Sequence, residues 1–450
     1  MIPIITSVGA FIVAISVLVA IHEFGHYLVG RLCGMKVLRY SIGFGKPLWM
    51  RVAGRDRTEY CISAIPLGGY VKFLDDREGP VEAADEGRAF NHRPVPARIA
   101  VLLAGPFFNF LFAVLAYWVL FVSGVPTVKP AVGAVDPGSY AAEAGLEYGD
   151  RIIKAGDRDG ADWEAVLVAM LDNLVSDGRV ELVLEGEDGW QRTTAIEVGE
   201  DVSHLTEPGK LFDGLGFVPW QPPAVIESVE PDGAAAEAGL APGDRITAID
   251  GEPVRTFGDL LDIVATRPDK AVTVDYRRDG RTYSAEAMLG SAQRDGQRVG
   301  MLGIRISNNA GDYWYERKYG PVGAVSEALE QTWASTAFTV RMLGRMVTGD
   351  VSIRNISGPI NIAQYAGESA SAGINQFLRF LALVSISLGV LNLLPIPILD
   401  GGQIVYQTVE WLKGSPMSER SQIMGQQVGI FALLLLMSFA FYNDIARILN

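Results

Sequence analysis

Ala20-Ile21-His22-Glu23-Phe24-Gly25-His26-Tyr27 places two histidines and a glutamate at the end of an apolar run. From Ile2 to Ile21 there is no charged residue, which is long enough to cross a bilayer core as a helix. On a helix, residues four apart lie one turn up the same face, so His22 and His26 can both turn toward one metal ion. Glu23 can then reach a water on that metal and take its proton. A bare HExxH also arises by chance, and a single buried histidine is more often a satisfied core residue than a ligand. Here two histidines and an acid coincide inside one span, where ionisable groups are costly and point to function. The reading predicts a first membrane helix within residues 1–33. It is expected to be retained, because no lysine or arginine precedes the apolar run as in a cleaved signal peptide.

The rest of the composition agrees with a multi-domain membrane protein. The chain has 450 residues, 49% of them hydrophobic, and its mean hydropathy is positive. A net charge of −14 argues against nucleic acid as a partner. Two cysteines cannot build a disulfide framework. Of four histidines, His92 and His204 sit in polar stretches and read as solvated. Further spans are predicted within 97–124, 374–402 and 425–450, separated by a loop at 403–424. Asn109 in the second span reads as a hydrogen-bonding contact between helices.

Residues 34–96 read as short strands punctuated by glycine and proline. They form either a small solvated sheet or a sheet edge near the metal, able to pair with an extended substrate. Between spans two and three lies an internal repeat. Val135–Ile152 recurs 94 residues later as Val229–Ile246, with 12 of 18 positions identical. A repeat of this size is a duplicated small domain, expected at 125–218 and 219–309. The shared A-A-x-A-G-L-x-x-G-D-R-I resembles the signature of PDZ domains, and Gly214-Leu215-Gly216-Phe217 resembles their carboxylate-binding loop. The resemblance implies α+β, barrel-like modules that either bind peptide ends or act as a rigid plug. Residues 310–373 follow, with Val325, Leu329, Trp333, Ala337 and Val340 at helical spacing. That helix either packs on the repeat pair or lies on the outer membrane surface.

Charge orients the chain. Residues 34–98 with Arg31 carry 12 Lys/Arg against 8 Asp/Glu, and residues 124–373 carry 22 against 39. The short basic segment is expected in the cytoplasm, and the long acidic region outside. Asp400, directly after the third span, then returns to the same side as the histidines. A catalytic zinc takes three protein ligands and leaves a position for water, and helix one supplies two. Asp400 is expected to be the third. Pro395 and Pro397 break the helix before it, and Gly401-Gly402 let the backbone bend after it.

HEFGH in the first span, Asn392-Leu393-Leu394-Pro395-x-Pro397-x-Leu399-Asp400-Gly401 after the third, and the PDZ-like pair between them together resemble the bacterial site-2 proteases, in their RseP branch. The resemblance spans nearly the whole chain. It implies an intramembrane zinc metalloprotease with a four-helix core, a small membrane-associated β-sheet and two tandem PDZ domains. It implies one Zn2+ per chain on His22, His26 and Asp400, with Glu23 as acid and base. Asn392, Gly43, Gly45, Gly69, Tyr70 and Val71 are implied to hold substrate. Implied partners are the lipid bilayer and transmembrane-helix substrates, such as an already shortened anti-sigma factor or leftover signal peptides. The implied location is the bacterial inner membrane, with the site near the cytoplasm and the PDZ pair in the periplasm. Relatives often carry histidine where Gln403 stands, which bears on a role at 403 alone. A catalytically silent scaffold would predict a broken metal motif, and a metal transporter would want polar residues lining several spans. The scaffold stays as the alternative reading although Glu23 and all three candidate ligands are present, and spans two and four offer few polar residues for a transporter.

Overall fold

The computed structural model describes residues 4–449, apart from 78, 161, 187, 200–201, 208, 222, 232, 295–296, 307–313, 350, 352–357 and 416. It divides into two units, one of Pro126–Glu316 and one of Ile2–Val125 with Arg317–Asn450. In the second unit, helix α1 (Ile4–Leu32) buries Ala14, Leu18, His22, Gly25, His26 and Gly30 along one stripe. Ile4, Ile5 and Val13 stay exposed, as side chains facing lipid do. Strands β1 (Val37–Ala53) and β2 (Thr58–Phe73) form a long antiparallel hairpin that curls back on itself. Tyr40 pairs with Tyr60 on one side and Val71 on the other, and Ser41 with Cys61 and Tyr70. Residues 69–73 therefore lie beside β1 with α1 on their other flank. Gly43 permits the curl: its φ is +90°, and a Cβ there would come within 2.9 Å of the Ile65 and Ser63 carbonyl oxygens. Helix α2 (Val95–Ser123) contains Pro106 and stops at Gly124.

The other unit begins within β3 (Val125–Val128) and shows the duplication as structure. Its first copy runs β4 (Val132–Val135), α3 (Tyr140–Glu143), β5 (Arg151–Ala155), β6 (Arg158–Asp159), α4 (Trp163–Asp177), β7 (Arg179–Glu185), β8 (Gln191–Glu197), α5 (Lys210–Leu215) and β9 (Phe217–Pro219). The second runs β10 (Ile226–Val229), α6 (Ala234–Glu237), β11 (Arg245–Ile249), β12 (Glu252–Pro253), α7 (Phe257–Ala265), β13 (Ala271–Arg278), β14 (Arg281–Met288), β15 (Gly290–Arg294), β16 (Gln297–Met301) and β17 (Ile304–Ile306). Sheet order is β6-β5-β7-β8 in one and β12-β11-β13-β14 in the other, with β4-β9 and β10-β17 as matching pairs. The repeated Gly-Asp-Arg-Ile has a structural cause. Asp150 accepts the Glu147 N–H and pairs with Arg192, and Asp244 accepts the Ala241 N–H and pairs with Arg278. The expected boundary at 218 falls inside β9, and the one at 309 lies outside the described residues.

After β18 (Trp314–Arg317) come α8 (Gly323–Thr348), α9 (Pro359–Ser371), α10 (Ile374–Leu393), α11 (Asp400–Lys413) and α12 (Glu419–Leu449). Ala324 and Ala328 of α8 are buried in a cluster with Ala113 and Ala116 of α2, while Val325, Leu329 and Trp333 are exposed. Helices α1, α2 and α10 and the Arg420–Ala446 stretch of α12 are long and apolar enough to cross a membrane. Two expectations change. The third span ends at Leu393, and much of the expected loop at 403–424 is helix α11. Within it, Glu410 takes the buried Arg98 of α2 in a two-pronged pair.

Candidate metal centre

His22 and His26 leave α1 on the face turned to α2, and Glu23 is buried beside them. The His22 and His26 Nε2 atoms are 3.2 Å apart. Asp400 Oδ2 stands 3.2 Å from the first and 3.5 Å from the second, and it has no hydrogen-bond partner. These are the donors a cation would need: two imidazole nitrogens and one carboxylate oxygen converging on a point. Bond lengths of about 2.0–2.2 Å in a tetrahedral zinc site put neighbouring donors roughly 3.3–3.5 Å apart. The observed triangle fits, and it leaves the fourth corner open. No other His/Cys/Asp/Glu group among the described residues is spaced to hold a metal.

Each of these candidate donors is placed by a local feature. Asp400 opens α11, after Pro395 and Pro397 have ended the preceding helix. Gly401 and Gly402 matter through close packing rather than through a bend. Both are helical, and a Cβ would lie 2.3 Å from the Leu393 carbonyl oxygen at Gly401 and 2.1 Å from that of Ile396 at Gly402. Gln403 reaches back from α11 and donates to the Pro397 carbonyl at 3.0 Å, pinning the same loop. His26 Nδ1 lies 2.7 Å from the Val101 carbonyl oxygen, an acceptor that would keep the ring proton on Nδ1 and leave Nε2 able to bind a metal.

The sequence reading missed two glycines. A Cβ at Gly25 would come 2.4 Å from the Ala104 carbonyl oxygen, and one at Gly105 would come 2.4 Å from His26 Nε2 and 2.7 Å from His22 Cε1. These residues let α1 and α2 meet where the imidazoles stand. Asn109 is also more than a generic contact, since its amide lies 3.1 Å from His22 Nδ1.

The centre opens on a cavity of about 840 Å3 lined by His22, Glu23, His26, Asn392, Asp400 and the 68–73 segment. Asn392, Gly69, Tyr70 and Val71 are thus brought to the site. Val71 lines the same cavity as Glu23, and a Cβ at Gly69 would sit 3.0 Å from Glu23 Cγ. Gly43 and Gly45 are not in the lining; both have positive φ, and Phe44 between them projects into the cavity instead. Gly214–Phe217 belong to the other unit, at the end of α5 and the start of β9. Leu215 and Phe217 are core residues, and the Gly216 N–H caps α5.

Residues 10–436 match the model of peptidase family M50. The chain belongs to that family. It is 40% identical over 447 residues to the regulator of sigma-E protease RseP of Escherichia coli, covering 98% of each chain. It is 41% identical over 448 residues to a Neisseria meningitidis protein whose name is that of a zinc metalloprotease, covering 98% of this chain and 99% of that one. A PDZ domain from Listeria monocytogenes is 24% identical, with a TM-score of 0.18, over 20% of this chain and 94% of its own. The M50 assignment agrees with the centre built above. This is a membrane-embedded zinc metalloprotease, and the silent-scaffold and transporter readings fall away.

Proposed function

We propose that this chain hydrolyses peptide bonds inside the transmembrane segments of single-span membrane proteins. The observation that carries the reading is the convergence of His22, His26 and Asp400 beside Glu23, among helices of membrane-spanning length and apolarity. One Zn2+ held by the three ligands would supply Lewis-acid activation of water and of the scissile carbonyl. Glu23 accepts the proton of the attacking water and returns it to the leaving nitrogen. The Asn392 amide, on the cavity wall, holds the substrate backbone. A helical substrate hides its peptide bonds in internal hydrogen bonds, so it must unwind before attack. Residues 69–73, the strand beside Glu23, receive the unwound piece by β-addition, with Phe44 and Tyr70, whose rings stack 6.2 Å apart, walling one side.

In this reading the centre lies near the cytoplasmic face of the bacterial inner membrane, and the duplicated PDZ-like unit lies in the periplasm, as the basic 34–98 segment supports. The exposed Val325, Leu329 and Trp333 of α8 rest on the outer membrane surface and guide substrate. Substrates have already lost their outer domains, as an anti-sigma factor does after a first cut or a signal peptide after removal, and the PDZ-like pair excludes those that have not. Two relatives named for regulation of sigma E support the anti-sigma-factor class. The test is cleavage of a model transmembrane substrate in detergent by wild type, Glu23→Gln and Asp400→Ala. We expect Glu23→Gln to lose at least about 100-fold in rate. Undiminished cleavage by that variant would sink the proposal.

A further inference from the structure

We infer that Asn109 is a positioning residue for the metal: its amide oxygen accepts the Nδ1 proton of His22 and thereby presents His22 Nε2 as a ligand. The inference rests on the zinc-site reading and goes beyond it. A neutral imidazole carries one proton, and Nε2 can bind a metal only if that proton is on Nδ1. His26 meets this need through the Val101 carbonyl, 2.7 Å from its Nδ1. Among the described residues, no backbone carbonyl meets His22 Nδ1 in this way. The group facing its Nδ1 is the Asn109 side chain, whose Nδ2 stands 3.1 Å away and whose Oδ1 has no partner. A half-turn of the amide about its Cβ–Cγ bond exchanges the two ends and puts an acceptor against Nδ1–H. Asn109 is fully buried, so water does not compete for this place. Its main chain is also held, because the buried Ser385 of α10 donates to the Asn109 carbonyl at 2.9 Å. The His22 orienter is therefore carried by α2 and fastened to α10, and three helices share one ligand's geometry.

The experiment uses the full-length protein in detergent and measures zinc affinity by competition with a chromophoric chelator. Asn109→Asp, Asn109→Ala, Asn109→Leu and Ser385→Ala are compared with wild type. Asn109→Asp keeps an acceptor and should hold zinc within about threefold of wild type, while Asn109→Ala and Asn109→Leu should lose roughly 10–100-fold. Ser385→Ala should fall between them. Thermal unfolding of the metal-stripped variants separates packing from ligation: a residue that only fills space would be served better by leucine than by aspartate. Wild-type affinity in Asn109→Ala overturns the inference, as does Asn109→Asp binding as weakly as alanine, which would mean that the amide donates to the ring. Failure of the wild type itself to bind zinc would overturn the zinc site as well, so the two failures are distinguishable.

Discussion

Replacing Gly105 by alanine adds one methyl group at the point where α2 faces both imidazoles. The new carbon would lie 2.4 Å from His26 Nε2, 2.6 Å from His26 Cε1 and 2.7 Å from His22 Cε1. Ordinary contact begins near 3.4 Å, so the His26 ring must retreat by 3.4 − 2.4 = 1.0 Å or the helices must part. Neither is easy. The His26 ring is tied through Nδ1 to Val101 on the same helix that carries the new methyl group, and Gly25 already meets the Ala104 backbone one residue away. A displacement of about 1 Å at a reacting centre costs on the order of 100-fold in rate, and overpacking costs about 1–3 kcal/mol in stability. The expected result for Gly105→Ala is weakened zinc binding and cleavage reduced roughly 100-fold, with the chain still folded. Gly9→Ala is the matched control: nothing lies within 4 Å of its added carbon, so activity should stay at the wild-type level. Full activity and full zinc content in Gly105→Ala would refute the argument that this glycine sets the ligand geometry.

Gly402→Ala should also release zinc, because its methyl would strike the Ile396 carbonyl and lift the turn that begins with Asp400; unchanged metal content would count against this. In the duplicated unit, burial alone would raise the Asp244 pKa, but the Arg278 guanidinium and the Ala241 N–H overcome it and hold the carboxyl below its usual range. A lowered folded pKa contributes stability above the ordinary carboxylate range and loses it as pH falls through the folded value. Arg278→Ala should therefore destabilise the second copy at neutral pH by about 1–3 kcal/mol and flatten its loss of stability in acid, as read by thermal unfolding against pH. Deleting residues 127–309 should let the protease cut substrates that still carry a folded outer domain. If size discrimination survives the deletion, the PDZ-like pair is not the filter.

The legible parts of the site were those whose residue types are improbable where they stand. His22, Glu23, His26 and Asp400 could be read because charge is rare in or beside apolar spans, and the proline pair before Asp400 marks a forced break. The internal repeat carried the duplicated domains in the same way. Gly25 and Gly105 were not legible, because a glycine's meaning lies in what a Cβ would strike, and that belongs to another helix. One signal was available: glycine inside a helix costs about 1 kcal/mol relative to alanine, and Gly25 sits between the two histidines where no turn is wanted. Asn109 was read as a contact between helices, which it is, but only the folded chain shows that the other helix's partner is His22. Helix α11 was missed because its polar content suggests solvent, whereas its buried partner, Arg98, lies 312 residues away in sequence from Glu410.

That pairing bears on how an intramembrane site can obtain its third donor group. A carboxylate in the middle of an unbroken span is aimed by the phase of the whole helix, which packing against lipid and neighbours has already set. Starting a new helix at residue 400 separates the two requirements. The first turn of α11 can be placed for the metal while α10 keeps its own face to α2, and the N-terminal end of a helix favours a negative charge there. The short helix would swing if held at one end only. Ten residues on, about 15 Å along the axis, Glu410 takes the Arg98 guanidinium in two hydrogen bonds. Gln403 ties the first turn back to Pro397. Helix α11 is thus held at its first turn by the loop before it and at its far end by α2, the helix whose Val101 carbonyl meets His26 and whose Asn109 faces His22. Helix α2 supplies none of the three converging donors, yet its Val101 carbonyl and Asn109 side chain meet the two imidazoles and its Arg98 holds the far end of the helix that Asp400 begins.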